Sequence, residues 1–331
     1  MISIIVPTYN AARFLPATLN TVLEQTYPDW ELLVINDGSR DDTEAVAHQM
    51  ATEQAELWAG RIRVLTIENG GAGPARNYGF SMADPRSEFI LFLDHDDFLE
   101  PTALETLLAA VNSRPDCVGA VGGVRENLVS DLRTDAKAEE VRLKTIDKTV
   151  DKIVGAKTSD EAEATSAPVS TDYMDSATKL LTFADMVTFC HIWTMGQVLI
   201  RREWLERVGP LDPACAPSED WDLYLRLTLH GPLVSTATRV IHWTHHATNT
   251  SNDKKVMGQA EAIVRAKLLA SPDLSDAQRQ IVTSLSTHSR RTLAAHQLQW
   301  AREALAQRQF AEAVRQTRRA VNNYLRSRFR S

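Results

Sequence analysis

The stretch Phe89-Ile90-Leu91-Phe92-Leu93-Asp94-His95-Asp96-Asp97-Phe98 decides the fold of this chain. Its first five residues are a continuous apolar run, which predicts a strand buried on both faces of a parallel sheet. Its second half places three carboxylates and a histidine where that strand ends. Because ligands of open α/β sheets bind beyond the carboxyl ends of the strands, we expect the chemistry at residues 94–97.

The three acids repel one another unless a cation lies between them. Carboxylate oxygens suit hard ions such as Mg²⁺ or Mn²⁺, which take one or two protein carboxylates and complete their shell with water and substrate phosphates. The cluster therefore predicts a site for a metal ion and a diphosphate. The alternative is an acidic turn in which Asp97 or Glu100 caps a helix that begins at Pro101, and these residues alone do not separate the two.

Three similar units precede this strand. The apolar runs Ile2–Val6, Trp30–Ile35 and 61–67 are each followed by polar or glycine residues and then by a helical pattern. Strands that alternate with helices imply a right-handed, mostly parallel sheet. We therefore predict an α/β fold with a doubly wound, mostly parallel sheet flanked by helices, and we expect the strand ends to line one shared edge.

The third of these strand ends is rich in glycine. Gly70, Gly71 and Gly73 allow a close backbone approach to a ligand, and Arg76 follows one turn inside the next helix, where it could reach an anion. Glycines also form ordinary turns. The segment is neither a Walker loop nor a dinucleotide-binding fingerprint, because the glycine spacings of both are missing.

Composition limits the classes of partner. The 331 residues include 36 Lys+Arg against 43 Asp+Glu, a net charge of −7, which argues against nucleic acid. The 3 cysteines form no CxxC pair, so neither a zinc site nor a disulfide framework is indicated. The chain has no signal-peptide pattern and no apolar run of about 18 residues. We expect a cytoplasmic protein or one peripheral to the inner face of the membrane.

The chain changes character twice after the acid cluster. Residues 126–185 are polar and read as an insertion or lid, with a disordered linker as the alternative. Residues 258–331 read as a C-terminal helical extension whose far end is rich in arginine. These arginines could bind an anionic lipid or an acidic protein partner, and a solvated helix face is the default interpretation. The predicted division is a domain of residues 1–257 followed by this extension.

Two further clusters could contribute to a site. Glu219 and Asp220 open an amphipathic helix, where they could serve catalysis or merely favour the helix dipole. His242, His245 and His246 end a later strand and could ligate a metal ion, although the spacing of a zinc-binding motif is missing.

Taken together, five motifs resemble family 2 glycosyltransferases of the GT-A fold over residues 1 to about 250. They are Pro7-Thr8-Tyr9-Asn10, Asn36-Asp37-Gly38-Ser39, Asn69-x-Gly71-x-x-x-Ala75-Arg76-Asn77, Leu93-Asp94-x-Asp96-Asp97 and Glu219-Asp220-Trp221-Asp222. Their joint order is specific, whereas each motif alone is weak.

The resemblance assigns roles by position. Thr8, Tyr9 and Asp37 would hold the base, Asp94 the ribose, Arg76 the ribose or phosphate side, and Asp220 would be the general base. The donor-binding set it implies is Pro7, Thr8, Tyr9, Asp37, Gly71, Arg76, Asp94, His95 and Asp96. It also implies Mn²⁺ or Mg²⁺ on Asp96, with His246 as a further ligand. Because the aromatic and polar mix of residues 188–200 suits the wall of a pocket, we expect an acceptor side formed by His191, Trp193, Glu219 and Trp221.

One segment departs from the family pattern. The stretch from Trp243 to Ser251 keeps the His, Asn and Ser of the family's Tyr-Arg-x-His-x-x-Asn-x-Ser but places Thr244 where the arginine would be. The diphosphate contact that the family makes with this arginine is therefore not expected here.

The expected activity is inverting transfer of a sugar from a nucleotide-diphosphate donor, with a UDP-sugar expected, to a hydroxyl acceptor in polysaccharide or glycoconjugate assembly. An aspartate-based phosphatase is one alternative, since those enzymes also present Asp-x-Asp after a strand, and Asp94 would then be the nucleophile. A non-catalytic module that binds a nucleotide-sugar is another, and it would need Asp37 and Asp96 but not Asp220.

Overall fold

The computed structural model describes residues 1–53, 60–128, 179–188, 190–245 and 253–284. Within these ranges the chain forms one mixed sheet with helices on both faces. The strands are β1 (Ile2–Thr8), β2 (Trp30–Asp37), β3 (Ile62–Ile67), β4 (Phe89–Phe92), β5 (Phe98–Leu99), β6 (Gly119–Leu128), β7 (Lys179–Leu181), β8 (Val198–Arg201) and β9 (Leu233–His245).

The strand order is β3-β2-β1-β4-β8-β6-β9-β5, with β7 beside β9. The four strands β3, β2, β1 and β4 are parallel, as predicted from their alternation with helices. Beyond β4 the sheet is mixed, because β8 runs antiparallel to both β4 and β6. The carboxyl ends of β1, β2, β3 and β4 therefore meet at one edge, and the later strands extend that edge to the other side of β4.

Helices cover both faces of the sheet. Apolar residues alternate along β1 and β2, so that Ile4 and Leu32 pack on one face while Ile5 and Leu33 pack on the other. The helices on the first face are α1 (Leu15–Leu23), α2 (Thr43–Glu53) and α4 (Ala103–Ser113), and those on the second face are α3 (Ala72–Met82), α5 (Phe183–Thr188), α6 (Arg202–Val208), α7 (Glu219–Thr228) and α8 (Lys254–Ala270). This arrangement is the predicted doubly wound fold.

The helix after the acid cluster begins later than expected. It starts at Ala103 with Thr102 as its N-cap residue, so neither Asp97 nor Glu100 caps it. The intervening residues form β5, where Phe98 pairs with His242 of β9. The expected capping by Asp97 or Glu100 is therefore wrong, although residues 94–97 do form a turn, closed by a hydrogen bond from the Asp97 N–H to the Asp94 carbonyl, before pairing with β9 begins at Phe98.

The polar segment after β6 is described only at its ends. β6 runs to Leu128 and pairs with β9, so the strand extends beyond the expected start of the insertion at residue 126. At the other end, β7 pairs with β9, and Met186 and Val187 of α5 are buried. The remainder of the predicted insertion or lid, residues 129–178, lies outside the described residues.

The C-terminal region begins as part of the same packed body. α8 runs from Lys254 to Ala270 through the predicted boundary at residue 257, and Val264 and Leu268 are buried in the hydrophobic cluster that also contains α7. Residues 285–331, including the arginine-rich end, lie outside the described residues. None of the helices within the described ranges is long and apolar enough to cross a bilayer.

Candidate active site

A cleft of about 670 Å³ lies along the carboxyl edge of the sheet. It brings together segments that are more than 200 residues apart in sequence. The lining residues are Pro7, Thr8, Tyr9, Asn10, Phe14, Asp37, Asn69, Gly71, Ala72, Arg76, Asp94, His95, Asp96, Asp97, Trp193, Thr194, Met195, Pro217, Glu219, Asp220 and Trp243. The predicted donor-binding residues all belong to this set.

The ends of β1 and β2 form one part of the cleft. Asp37 is buried, and its carboxylate accepts hydrogen bonds from the backbone N–H groups of Gly70 and Gly71, each over 2.8 Å. Asn69 adds a donor to the Asp37 backbone carbonyl at 2.8 Å. Asp37 thus fixes the glycine loop as well as lining the cleft.

Gly71 gives this loop its shape. Its φ of 95° lies in the left-handed region that favours glycine, and the residue is the N-cap of α3. A Cβ atom there would meet nothing within 4 Å, so backbone conformation rather than crowding requires glycine at this position.

The turn after β1 is held by side chains of the turn after β2. Asn10 has a φ of 50°, and its backbone N–H donates to Ser39 Oγ over 3.1 Å. Its side-chain oxygen accepts from the backbone N–H of Arg40 over 2.9 Å. The neighbouring Tyr9 is 40% exposed and lines the cleft. Thr8 is buried and donates to the Ile35 carbonyl, so its hydroxyl also ties β1 to β2.

Arg76 connects the acid cluster with the opposite wall. Its Nη2 donates to Asp94 Oδ1 over 2.6 Å, and its Nη1 donates to Glu219 Oε1 over 3.4 Å. Burial alone lowers the pKa of the Arg76 guanidinium, but the negative charges, first that of Asp94, raise its pKa above the ordinary value. Arg76 therefore stays charged and is neutralised by two carboxylates within the cleft.

Asp97 anchors the acid cluster to distant segments. Its carboxylate accepts from the hydroxyl of Thr194 and, over 2.9 Å, from the backbone N–H of Thr244. Burial, followed by the charges of Asp94 and Asp96, raises the pKa of Asp97 well above its usual range. Through these two hydrogen bonds, buried Asp97 links the end of β4 to the segment before β8 and to the end of β9.

His95 and Asp96 lie between Asp94 and Asp97 in the acid cluster. His95 Nδ1 is 3.3 Å from the Pro7 carbonyl oxygen, and its backbone oxygen accepts from Thr18 Oγ1 over 2.8 Å. Asp96 lines the cleft. Within the described ranges no group of three or more His, Cys, Asp or Glu side chains is arranged to hold a metal ion by itself. His246, the further metal ligand expected from sequence, lies outside the described residues.

Asp220 lies in the first turn of α7 and faces the cleft. Its Oδ1 accepts the backbone N–H of Trp221 over 2.7 Å. Burial raises the pKa of Asp220 to about 6, and the charge of Glu219 adds to the increase while the Trp221 amide and Arg76 oppose it. A carboxylate with this pKa is suited to accept a proton near neutral pH.

The acceptor side differs from the expectation in two residues. Trp193 and Glu219 line the cleft, as does Trp243, which was not predicted as a site residue. Trp221 does not, because its indole is buried in the core and donates to the Met186 carbonyl over 2.8 Å. His191 is also outside the lining; burial lowers its pKa, opposed by the charge of Asp185.

Nine of the lining residues were given no role from sequence, among them Asn69, Asp97, Thr194 and Trp243. Asn69 falls within a quoted motif and Asp97 within the deciding stretch, so a signal for both was present. Thr194 lies in no motif, and Trp243 opens the stretch that departs from the family pattern, so the sequence signal for these two residues was weak.

Comparison with known proteins shows what the chain is similar to. Residues 3–160 match the profile described as glycosyl transferase family 2. A segment of 113 residues, 34% of this chain, is 38% identical to an uncharacterized glycosyltransferase of Rickettsia conorii and covers 17% of that protein. A segment of 110 residues is 36% identical to the minor teichoic acid biosynthesis protein GgaA of Bacillus subtilis and covers 32% of this chain and 24% of that protein. The match thus spans less than a third of either relative.

Solved structures share the fold. A structure of S. aureus TarS 1-349 in complex with UDP-GlcNAc has a TM-score of 0.58 at 17% identity, over 86% of this chain and 71% of that one. The mannosyltransferase PcManGT from Pyrobaculum calidifontis, in complex with GDP-Man and Mn²⁺, has a TM-score of 0.54 at 16% identity, over 98% and 86% of the two chains. The glycosyl transferase family 2 profile thus matches residues 3–160, just under half of this chain, and the described residues have the GT-A fold.

Proposed function

We propose that this protein is an inverting glycosyltransferase that moves a sugar from a nucleotide-diphosphate donor to a hydroxyl group of a sugar or glycoconjugate acceptor. The observation that carries the proposal is that Asp220, with its pKa raised to about 6, shares one cleft with the acid cluster at the end of β4. A base and a diphosphate-binding site are the two parts that such a transfer needs. The family match leaves the phosphatase alternative without support.

The donor is a nucleoside diphosphate sugar, with a UDP-sugar favoured. The complexes of the similar folds contain UDP-GlcNAc in TarS and GDP-Man in PcManGT, which supports the donor class. In this chain the base would lie against Pro7, Thr8, Tyr9 and Asp37, and the ribose would approach Asp94. The similarity to a teichoic acid biosynthesis protein supports a role in polysaccharide or glycoconjugate assembly.

The described residues fit a divalent cation that is shared with the donor. Asp96 and Asp94 both line the cleft, and Asp94 is paired with Arg76. Mn²⁺ and Mg²⁺ commonly bind one or two protein carboxylates and take their remaining ligands from phosphates and water. Asp96 would hold the ion, with His246 as a further ligand, and the ion would offset the charge of the diphosphate.

The side chains divide the chemistry between the two walls of the cleft. A hydroxyl is a poor nucleophile at neutral pH, so Asp220 takes the acceptor proton while the acceptor oxygen bonds to the anomeric carbon. The bond between that carbon and the diphosphate oxygen breaks, and its electron pair leaves with the nucleoside diphosphate. Attack from the side opposite the leaving group inverts the anomeric centre. Arg76 fixes Asp94 and Glu219 in place during this step.

The C-terminal region is included in the proposal. The arginine-rich residues beyond 284 would contact an anionic membrane surface or an acidic protein at the cytoplasmic face, because clustered cations bind anionic lipid headgroups.

The test is product analysis with a panel of nucleotide-sugars and Mn²⁺. We expect release of nucleoside diphosphate together with a glycoside whose anomeric configuration, read by NMR, is opposite to that of the donor. Asp220→Asn serves as the inactive control. Release of free phosphate would instead indicate a phosphatase, and donor binding without any turnover would indicate a binding module.

A further inference from the structure

Two tryptophans form a paired surface on the acceptor side of the cleft. The ring centroids of Trp193 and Trp243 are 6.0 Å apart, with an angle of 35° between the ring planes. Both rings are half-buried and both line the cleft. We call these two side chains the tryptophan pair.

Hydrogen bonds from the neighbouring threonines to Asp97 hold the tryptophan pair at the acid cluster. Trp193 precedes Thr194 and Trp243 precedes Thr244, and both threonines donate to the carboxylate of Asp97. The Trp193 backbone N–H also donates to Gln197 Oε1 over 2.7 Å. Since both anchors end on one buried carboxylate, the rings are positioned before any ligand binds, which reduces the entropic cost of binding.

The tryptophan pair lies on the other side of β4 from the residues proposed to bind the base. In the sheet, β1 and β2 lie on one side of β4 and carry Thr8 and Asp37, whereas β8 and β9 lie on the other side and carry or adjoin the two tryptophans. A donor that spans from β2 to β4 therefore leaves the tryptophan pair for the acceptor.

The charge of the cleft disfavours an anionic acceptor. Arg76 is the one Lys or Arg among the described lining residues, and it is already paired with Asp94 and Glu219. The lining contains six carboxyl groups, those of Asp37, Asp94, Asp96, Asp97, Glu219 and Asp220. A phosphate on the acceptor would thus meet Glu219 and Asp220 without a cation to balance it.

We propose that the acceptor is an uncharged sugar whose ring stacks on the tryptophan pair while its reacting hydroxyl points to Asp220. The C–H groups on one face of a pyranose carry small positive partial charges, and an aromatic face is electron-rich, so the two surfaces are complementary. This inference rests on the proposed function and adds the chemical class of the acceptor.

Calorimetric titration of the full chain in the presence of UDP and Mn²⁺ tests the inference. The titrants are the neutral methyl pyranosides of glucose, galactose and N-acetylglucosamine, and glucose 6-phosphate and galactose 6-phosphate as anionic counterparts. We expect a neutral glycoside to bind at least tenfold more tightly than either phosphate. Trp193→Ala and Trp243→Ala should each weaken that glycoside about 2- to 10-fold, the range for one aromatic contact, with UDP affinity unchanged.

Matched variants separate packing from stacking. Trp193→Phe and Trp243→Phe keep an aromatic face and should retain most of the glycoside affinity. Trp204→Phe alters a tryptophan that stacks on His230 outside the cleft and should leave every affinity unchanged. Equal or tighter binding of the sugar phosphates, or alanine variants with wild-type glycoside affinity, would overturn the inference while UDP binding persists. Failure of the wild type to bind either UDP or GDP with Mn²⁺ would instead overturn the proposed function, and this inference with it.

Discussion

Arg76 Nη2 donates to Asp94 Oδ1 over 2.6 Å, although the two residues belong to different elements, α3 and the end of β4. The same guanidinium reaches Glu219 in the first turn of α7. One buried cation thus joins three parts of the cleft wall. Its removal would leave two carboxylates facing each other without a balancing charge.

We therefore expect Arg76→Met to destabilise the protein by about 3 kcal/mol, the cost of breaking a buried ion pair from one side. The measurement is the urea midpoint of unfolding. Arg86→Met is the matched control, since Arg86 pairs with Asp84 at 2.7 Å but is 81% exposed, and its removal should leave the midpoint nearly unchanged. Equal midpoints for the wild type and Arg76→Met would contradict a structural role for the pair.

The metal ion proposed at Asp96 gives a second prediction. Asp96→Ala should abolish the increase in UDP affinity that Mn²⁺ produces in the wild type, because the diphosphate loses the cation that offsets its charge. Calorimetric titration of UDP with and without Mn²⁺ measures this. Asp116→Ala removes an exposed acid paired with Arg114 outside the cleft and should keep the Mn²⁺ effect. A full Mn²⁺ effect in Asp96→Ala would take this residue out of the metal site.

Sequence patterns predicted the site residues that directly follow the first four strands, because strand alternation fixes where those ends meet. Asp94, Asp96 and Asp37 reached the cleft for this reason. The contacts of Asp97 could not be predicted in this way, because its partners Thr194 and Thr244 are 97 and 147 residues away in sequence. No local pattern encodes pairings at such separations, and the antiparallel placement of β8 beside β4 was missed for the same reason.

Trp221 shows how a motif can mislead within a single helix. Successive residues of an α-helix point about 100° apart; in this turn Glu219 and Asp220 face the cleft, and Trp221 points further round the helix, away from it. Asp220 takes the cleft side, and the indole of Trp221 turns to the core beneath Arg265, whose guanidinium lies 5.1 Å from its ring. The motif predicted the position of the acid correctly and the direction of its neighbour wrongly.

The same packing suggests that α8 positions the base. Lys267 Nζ lies 2.7 Å from Asp212 Oδ2, in the loop before α7, and 2.9 Å from Asp222 Oδ2, one residue beyond Trp221. Burial lowers the pKa of Lys267, but its hydrogen bonds, first that to Asp212, raise it above the ordinary value. Lys267 thus ties α8 to the chain on both sides of Asp220.

We expect Lys267→Met to lower kcat several-fold while the UDP dissociation constant stays unchanged. Its effect on unfolding should be small, about 1 kcal/mol, because the ammonium is partly solvated. Lys255→Met, an exposed lysine on the same helix, is the control. If kcat and UDP affinity fell in parallel, or if kcat were unaffected, α8 would not act on the base.

Asp220 gives the prediction that bears most directly on mechanism. Its pKa of about 6 lies above the ordinary 3.8, so the folded protein holds this proton more tightly than the unfolded chain does. Stability from this group is therefore present at low pH and decreases as the pH rises from about 4 to about 6. The activity is expected to increase with pH over the same range, because only the deprotonated carboxylate can accept the proton of the acceptor.

We expect kcat/KM for the acceptor to rise about tenfold per pH unit below pH 6 and to level off above it, since kcat/KM reports the free enzyme. Asp220→Asn should lower kcat by about 10²- to 10⁴-fold without changing UDP affinity, because general-base assistance typically contributes that much. Glu219→Gln removes a charge that raises the pKa of Asp220, so its acid limb should shift to lower pH while turnover persists. If the acid limb moved in Asp220→Asn without a loss of kcat, Asp220 would not be the base. If Glu219→Gln lost turnover to the same extent as Asp220→Asn, the role of base would have to be reassigned to Glu219.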